Sequence, residues 1–146
     1  MTTKADTIPF RWEGDLAAPV GRFLRNRAFR LQSSEVPFYE YRMDMYGYSE
    51  RADLTVAVEL KLRKWSRAVE QALLYQLCSD LVYIAMPREH VGRVDLEVFA
   101  KHGVGLIAVE ERRCREVVRA VPSQVVRRHY RLQYLAMLQR RDQDAA

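Results

Sequence analysis

The chain is poor in the residues that most metal and redox sites are built from. It has two cysteines, Cys78 and Cys114, and three histidines, His90, His102 and His129. None of them stands at a metal-ligand spacing, which argues against a zinc finger or a disulfide framework. The two cysteines read as reduced thiols, with Cys78 in the core. There is no Gly-rich phosphate loop and no Ser-His-Asp order, so P-loop and serine-hydrolase chemistry are set aside. No apolar run is long enough to span a bilayer. The first residues, Met-Thr-Thr-Lys-Ala-Asp-Thr, carry no apolar secretory stretch, and a cytoplasmic protein is expected. Internal repeats and linkers are also missing.

What is present suits one domain with one core. The chain has 146 residues, 49% of them hydrophobic and 29% charged, which is a globular composition. The net charge of +5, from 24 Lys+Arg against 19 Asp+Glu, permits a polyanionic partner. Arginines cluster at positions 22–30, at 63 and 67 with Lys64, and at 127–141. Each group taken singly is a solvated helix face. Three groups about one acidic site would make a phosphate-tracking surface.

Hydrophobic spacing sets the expected elements. Asp15 caps a helix running to about residue 28, with Leu16, Val20, Phe23 and Leu24 on one face. Strands follow at 29–35, 36–46 and 54–62, the last two joined across 47–53. A helix covers 65–78. Residues 81–86 read as a buried parallel strand, 94–101 as a short helix, 104–109 as another buried strand and 114–121 as an edge. A final helix over 124–141 turns Val125, Leu132, Leu135 and Leu138 inward. The order α-β-β-β-α-β-α-β plus a C-terminal helix implies an α/β (mixed α+β) fold, with a mixed sheet between helical layers.

The most informative residues are Asp44, Glu59 and Lys61. Glu59 and Lys61 project the same way from one strand, because strand side chains alternate. Two acids and an ammonium converging at strand ends suit a hard divalent cation and an activated water. The bland alternative is a surface salt-bridge cluster, worth little energy. Asp53 shares the parity of Glu59 and Lys61 but lies too close to Glu59 for a strand and hairpin to fit between them. Glu13 and Glu35 are candidates for a further acid, with helix-terminus charge and turn residue as their ordinary roles. Gln71 and Tyr75, four apart, share one face of the helix at 65–78. Trp65 opens that helix, and the ordinary role for it is packing against the sheet edge.

Asp44, fourteen residues, then Glu59-Leu60-Lys61, followed by Gln71-Ala-Leu-Leu-Tyr75 and the strand Asp80-Leu-Val-Tyr-Ile-Ala-Met-Pro87, resembles the PD-(D/E)XK nuclease superfamily. The likeness covers roughly residues 13–110, and it departs from the name-giving motif in carrying Met43 where a proline would precede the aspartate. The resemblance implies a restriction-endonuclease-like three-layer core and phosphodiester hydrolysis of DNA. It implies Mg²⁺ or Mn²⁺ held by Asp44, Glu59 and the backbone carbonyl of Leu60, with Glu13 as a candidate addition. It gives Lys61 and Gln71 catalytic places, and it places Arg63, Lys64, Arg67 and Tyr75 at the nucleic acid. The rival expectation is a weak or inactive nuclease-like binding module of a DNA repair or defence complex. No separate DNA-reading domain fits in this length. A homodimer, built on spare apolar positions of the final helix, or a larger complex is therefore an expected assembly.

Overall fold

Two sets of buried side chains, one on each face of a single sheet, fix the architecture. The structure is a computed structural model and describes residues 10–145. A 3-10 turn at Glu13–Leu16 leads into α1 (Ala17–Asn26). Then come β1 (Leu31–Phe38), β2 (Tyr41–Ser49), β3 (Leu54–Leu60), α2 (Trp65–Tyr75) and β4 (Leu81–Pro87). The chain continues through α3 (Arg88–Val91), α4 (Leu96–His102), β5 (Gly105–Val109), β6 (Cys114–Val118) and α5 (Arg128–Ala145).

The six strands lie in sequence order, β1-β2-β3-β4-β5-β6. β1, β2 and β3 pair antiparallel, β3-β4-β5 parallel, and β6 antiparallel to β5. Parallel neighbours need a crossover; α2 makes the first, α3 and α4 the second. One core lies under α2, α4 and α5 and gathers Phe38, Tyr46, Ala57, Ile84, Phe99 and Tyr134. The other lies under α1 and gathers Leu16, Val20, Leu24, Val56, Val58 and Ile107. Strands β3 to β5 are therefore buried on both faces, as their unbroken apolar sequences require. A β-carbon on Gly105 would come within 2.2 Å of the Tyr83 ring, so only glycine fits that position in β5. Among the described residues no helix is long and apolar enough to cross a membrane.

Several expected boundaries are corrected. The predicted break at Val36-Pro37 falls inside β1, and the turn is at Tyr39 and Glu40. Pro37 is tolerated because β1 is an edge strand, where a missing N–H costs no ladder bond. The helix expected from Asp15 begins as a 3-10 turn, and the helix at 65–78 ends at Tyr75. The final helix starts at Arg128, so Val125 precedes it and is exposed. Leu132 is also exposed; the buried positions are Tyr134 and Leu138. Tyr134 packs on Tyr46 at 5.2 Å between ring centroids and donates to the Pro37 carbonyl at 2.6 Å. That contact rotates the helix away from the expected leucine face.

Candidate functional site

The site forms where β2 and β3 part. Their last paired positions at that end are Met45 and Val58, and continuing the register by one sets Asp44 opposite Glu59. No strand carbonyl meets the next amide of β3. Asp44 supplies the acceptor instead: its Oδ2 takes the Leu60 N–H at 2.8 Å. The β1–β2 ladder is interrupted at the same level, between Ser34↔Met45 and Val36↔Met43, where Glu35 takes φ +54°. Asp44 is thus near the start of β2 (Tyr41–Ser49), not near the end of a strand over 36–46 as expected. An antiparallel neighbour brings its start beside the end of β3, and that is why the two acids meet.

Glu59 is only 4% exposed. Its carboxyl is next to that of Asp44. Burial, the bond to Asp44 and the Asp44 charge push Glu59 up to about 9, with Lys61 acting in the opposite direction. Crowding a second carboxylate beside it disfavours the charged form of Glu59, and a cation there would relieve that. The Tyr75 hydroxyl donates to the Arg42 carbonyl at 3.2 Å and stands 3.5 Å from Glu59 Oε2. Burial and the negative charges of Glu59 and Asp44 hold that phenol in its neutral form.

Lys61 follows the last residue of β3 and is anchored by its own N–H to the Ala85 carbonyl at 3.0 Å. Its Nζ is 4.0 Å from Glu13 Oε2. The Leu62 N–H also approaches that carboxylate, at 3.4 Å. Glu13 thus stands beside the lysine, and its charge also helps to raise Glu59. Among the described residues no group of three or more His, Cys, Asp or Glu side chains is arranged to hold a metal. Gln71, one turn before Tyr75 on α2, has a buried Oε1 with no hydrogen-bond partner among them. Such an orphaned acceptor is costly unless water or a ligand meets it.

Beside Lys61 opens a cavity of about 670 Å³, walled by Arg11, Lys61, Arg63, Lys64, Arg67 and His90 together with Glu13, Phe10 and Leu62. Sequence reasoning named Arg63, Lys64 and Arg67. It missed Arg11, which lies in the segment read as a loose tail, and His90, which α3 brings in from the end of the neighbouring strand β4. Neither residue has a local signal that could have found it. The other arginine groups do not converge here. Arg22 and Arg25 line a separate groove with Gln32, Ser33 and Ser34. Arg27 pairs with Glu116 at 3.3 Å. Arg131 binds Asp53 at 2.8 Å and Asp80 at 3.4 Å. Asp53 and Asp80 sit at the start of β3 and β4, the opposite end from Glu59, so Asp53 takes no part in the site. Glu35 is exposed. Trp65 packs on Phe99 with centroids 5.9 Å apart. Cys78 and Cys114 are free thiols, raised by burial to about 12 and about 11, hence unreactive.

The donor set fits a small hard cation. Mg²⁺ is commonly held by one or two carboxylates, with waters filling the remaining places. Asp44 and Glu59 supply two carboxylates whose mutual repulsion a cation would relieve. The unpartnered Gln71 oxygen is an acceptor that a water of such a site could satisfy.

No protein-family model matches the chain, and no curated protein matches it. Among solved structures it is similar to a protein of unknown function from Silicibacter pomeroyi. The two share 23% identity with a TM-score of 0.67, over 96% of this chain and 92% of that one. At that identity the likeness speaks to the fold alone.

Proposed function

We propose that this protein is a metal-dependent nuclease of the PD-(D/E)XK type, with a restriction-endonuclease-like core, that hydrolyses phosphodiester bonds in DNA. The observation that carries the reading is the Asp44–Glu59 carboxyl pair in the gap between β2 and β3, with Glu59 buried, Asp44 half-buried and Lys61 beside them. Asp44, Glu59 and the Leu60 carbonyl would hold Mg²⁺ or Mn²⁺. When bound, that ion supplies positive charge to a phosphate oxygen. The remaining tasks fall to the chain. Lys61 holds an attacking water and neutralises negative charge that grows on the phosphate as the water oxygen bonds to phosphorus and gives up a proton to solvent, while the P–O ester bond breaks and the departing oxygen takes a proton from solvent. Glu13 keeps that ammonium at the mouth of the site. Gln71 offers its free amide oxygen to the water. Tyr75 keeps its proton and fixes the level of Glu59 against β2. Arg63, Lys64 and Arg67 carry the flanking phosphates.

A second reading, a nuclease-like binding module without activity in a repair or defence complex, draws on the Lys61–Glu13 contact, which occupies the lysine. One experiment separates the two. Labelled duplex, single-strand, flap and junction DNAs are incubated with Mn²⁺ or Mg²⁺, beside an Asp44→Ala, Glu59→Ala double variant. Cleavage by the parent and none by the variant supports the nuclease. Equal binding by both with no cleavage supports the module. Neither binding nor cleavage sinks both.

A further inference from the structure

Trp12 is the most solvent-exposed large apolar side chain among the described residues, at 71%. A single exposed apolar side chain is ordinary on a protein surface; this one is singled out by its neighbours. Its position is also fixed. Asp15 Oδ2 accepts the N–H groups of Arg11 and Trp12, each at 3.0 Å, and the Asp15 N–H returns to the Trp12 carbonyl at 3.0 Å. The neighbours on either side, Arg11 and Glu13, both belong to the wall of the basic cavity beside Lys61. The backbone that carries the indole is thus fixed between two residues of the cavity wall, and the ring itself stands exposed outside that wall.

Resting on the nuclease reading, we infer that the substrate meets this site as a single strand, with an unpaired base stacked on Trp12 and an adjoining phosphate in the cavity between Arg11 and His90. Size and chemistry favour a single strand over a duplex. A cavity of about 670 Å³ is in the range that takes one small ligand, roughly 300–1,000 Å³, which suits a nucleotide or two. In a duplex the base faces are already stacked on one another, and a side chain outside can reach only phosphates and groove edges. A free base offers its π-face to any aromatic ring, whatever its sequence. Cations that track the backbone beside an aromatic platform are the two parts such binding needs.

The test is anisotropy of a labelled oligothymidine and of its duplex with oligoadenine, in EDTA so that no cleavage intervenes. Parent, Trp12→Ala, Trp12→Phe and Arg11→Ala proteins are compared. Trp12→Ala should weaken single-strand binding about tenfold or more and leave duplex binding within about twofold, while Trp12→Phe keeps most of the affinity. Arg11→Ala should weaken single-strand binding and make it less salt-dependent. Trp12 is exposed, so melting temperatures should be unchanged. Equal affinity of parent and Trp12→Ala for the single strand overturns the inference and leaves the nuclease reading standing. A loss that is equal for the duplex overturns it too. Failure of every oligonucleotide to bind the parent overturns this inference, and the nuclease reading is then decided by the metal-loaded cleavage panel.

Discussion

At the scale of single residues, Glu59 shows what the site costs the fold. A glutamate normally titrates near 4.5, and burial with Asp44 beside it moves Glu59 to about 9. The sign follows from which state holds the proton. Below 4.5 both the folded and the unfolded chain are protonated there and nothing is lost. Between 4.5 and about 9 the unfolded chain releases the proton while the folded one keeps it, so stability falls across that window and levels off above it. At pH 7 the penalty is at most about 3 kcal/mol. Glu59→Gln removes it. The variant should therefore be more stable than the parent at pH 7 to 8 without metal, melting several degrees higher, and the gain should shrink towards pH 5. Urea titrations in EDTA at the two pH values check this. A marked loss of stability in Glu59→Gln at pH 8 would identify the acid as a structural ion-pair partner. Asp44, Glu59 and Lys61 were legible in the sequence because each stands out against an apolar strand. Arg11 and His90 were not, because only tertiary folding brings the segment before the first helix and α3 to the same cavity.

Among the elements, α5 is where sequence and structure part furthest. Leu132, Tyr134, Leu135, Met137 and Leu138 are apolar positions spread around most of the helix, so spacing alone selects no face. The choice is made by what the sheet offers. Phe38 and Tyr46 form an aromatic floor, and Tyr134 meets both, at 6.3 and 5.2 Å between centroids. Leu138 follows one turn later and is buried with them. Truncating the two leucines should separate the faces. Leu138→Ala opens a cavity in the core and should cost about 2–5 kcal/mol, whereas Leu132→Ala, at an exposed position, should stay within about 0.5 kcal/mol. Denaturant midpoints of the two variants report this, and similar losses for both would show that Leu132 is covered in solution, as a dimer through this helix requires. The strands were more legible. β4 and β5 are continuous apolar runs bounded by Asp80, Pro87 and Gly103, and such runs have few other fates. The β1–β2 turn was misplaced because Pro37 is a turn signal that an edge strand can absorb.

For the whole molecule, the question is where a polyanion would lie. The net charge is +5, but the arginines do not act as one field. Arg27 and Arg131 are spent on carboxylates, and Arg88 and Arg113 both bind Glu110. Among the described residues, Arg11, Arg63, Lys64 and Arg67 of the cavity next to Lys61 enter no ion pair and can meet phosphate there. Phosphate contacts release counterions, so affinity should fall steeply with salt, by a slope of about 0.7 to 0.9 per phosphate contacted on logarithmic axes. Replacing Arg63, Lys64 and Arg67 by glutamate should weaken binding of every sequence alike and flatten that slope by about two to three. The same replacement of Arg22 and Arg25, in the groove on the α1 side, should change the slope by less than one. Titrations between about 50 and 200 mM salt distinguish the two surfaces. If the α1 groove carries the larger share of the slope, the polyanion tracks across α1, and the cavity beside Lys61 is not its principal path.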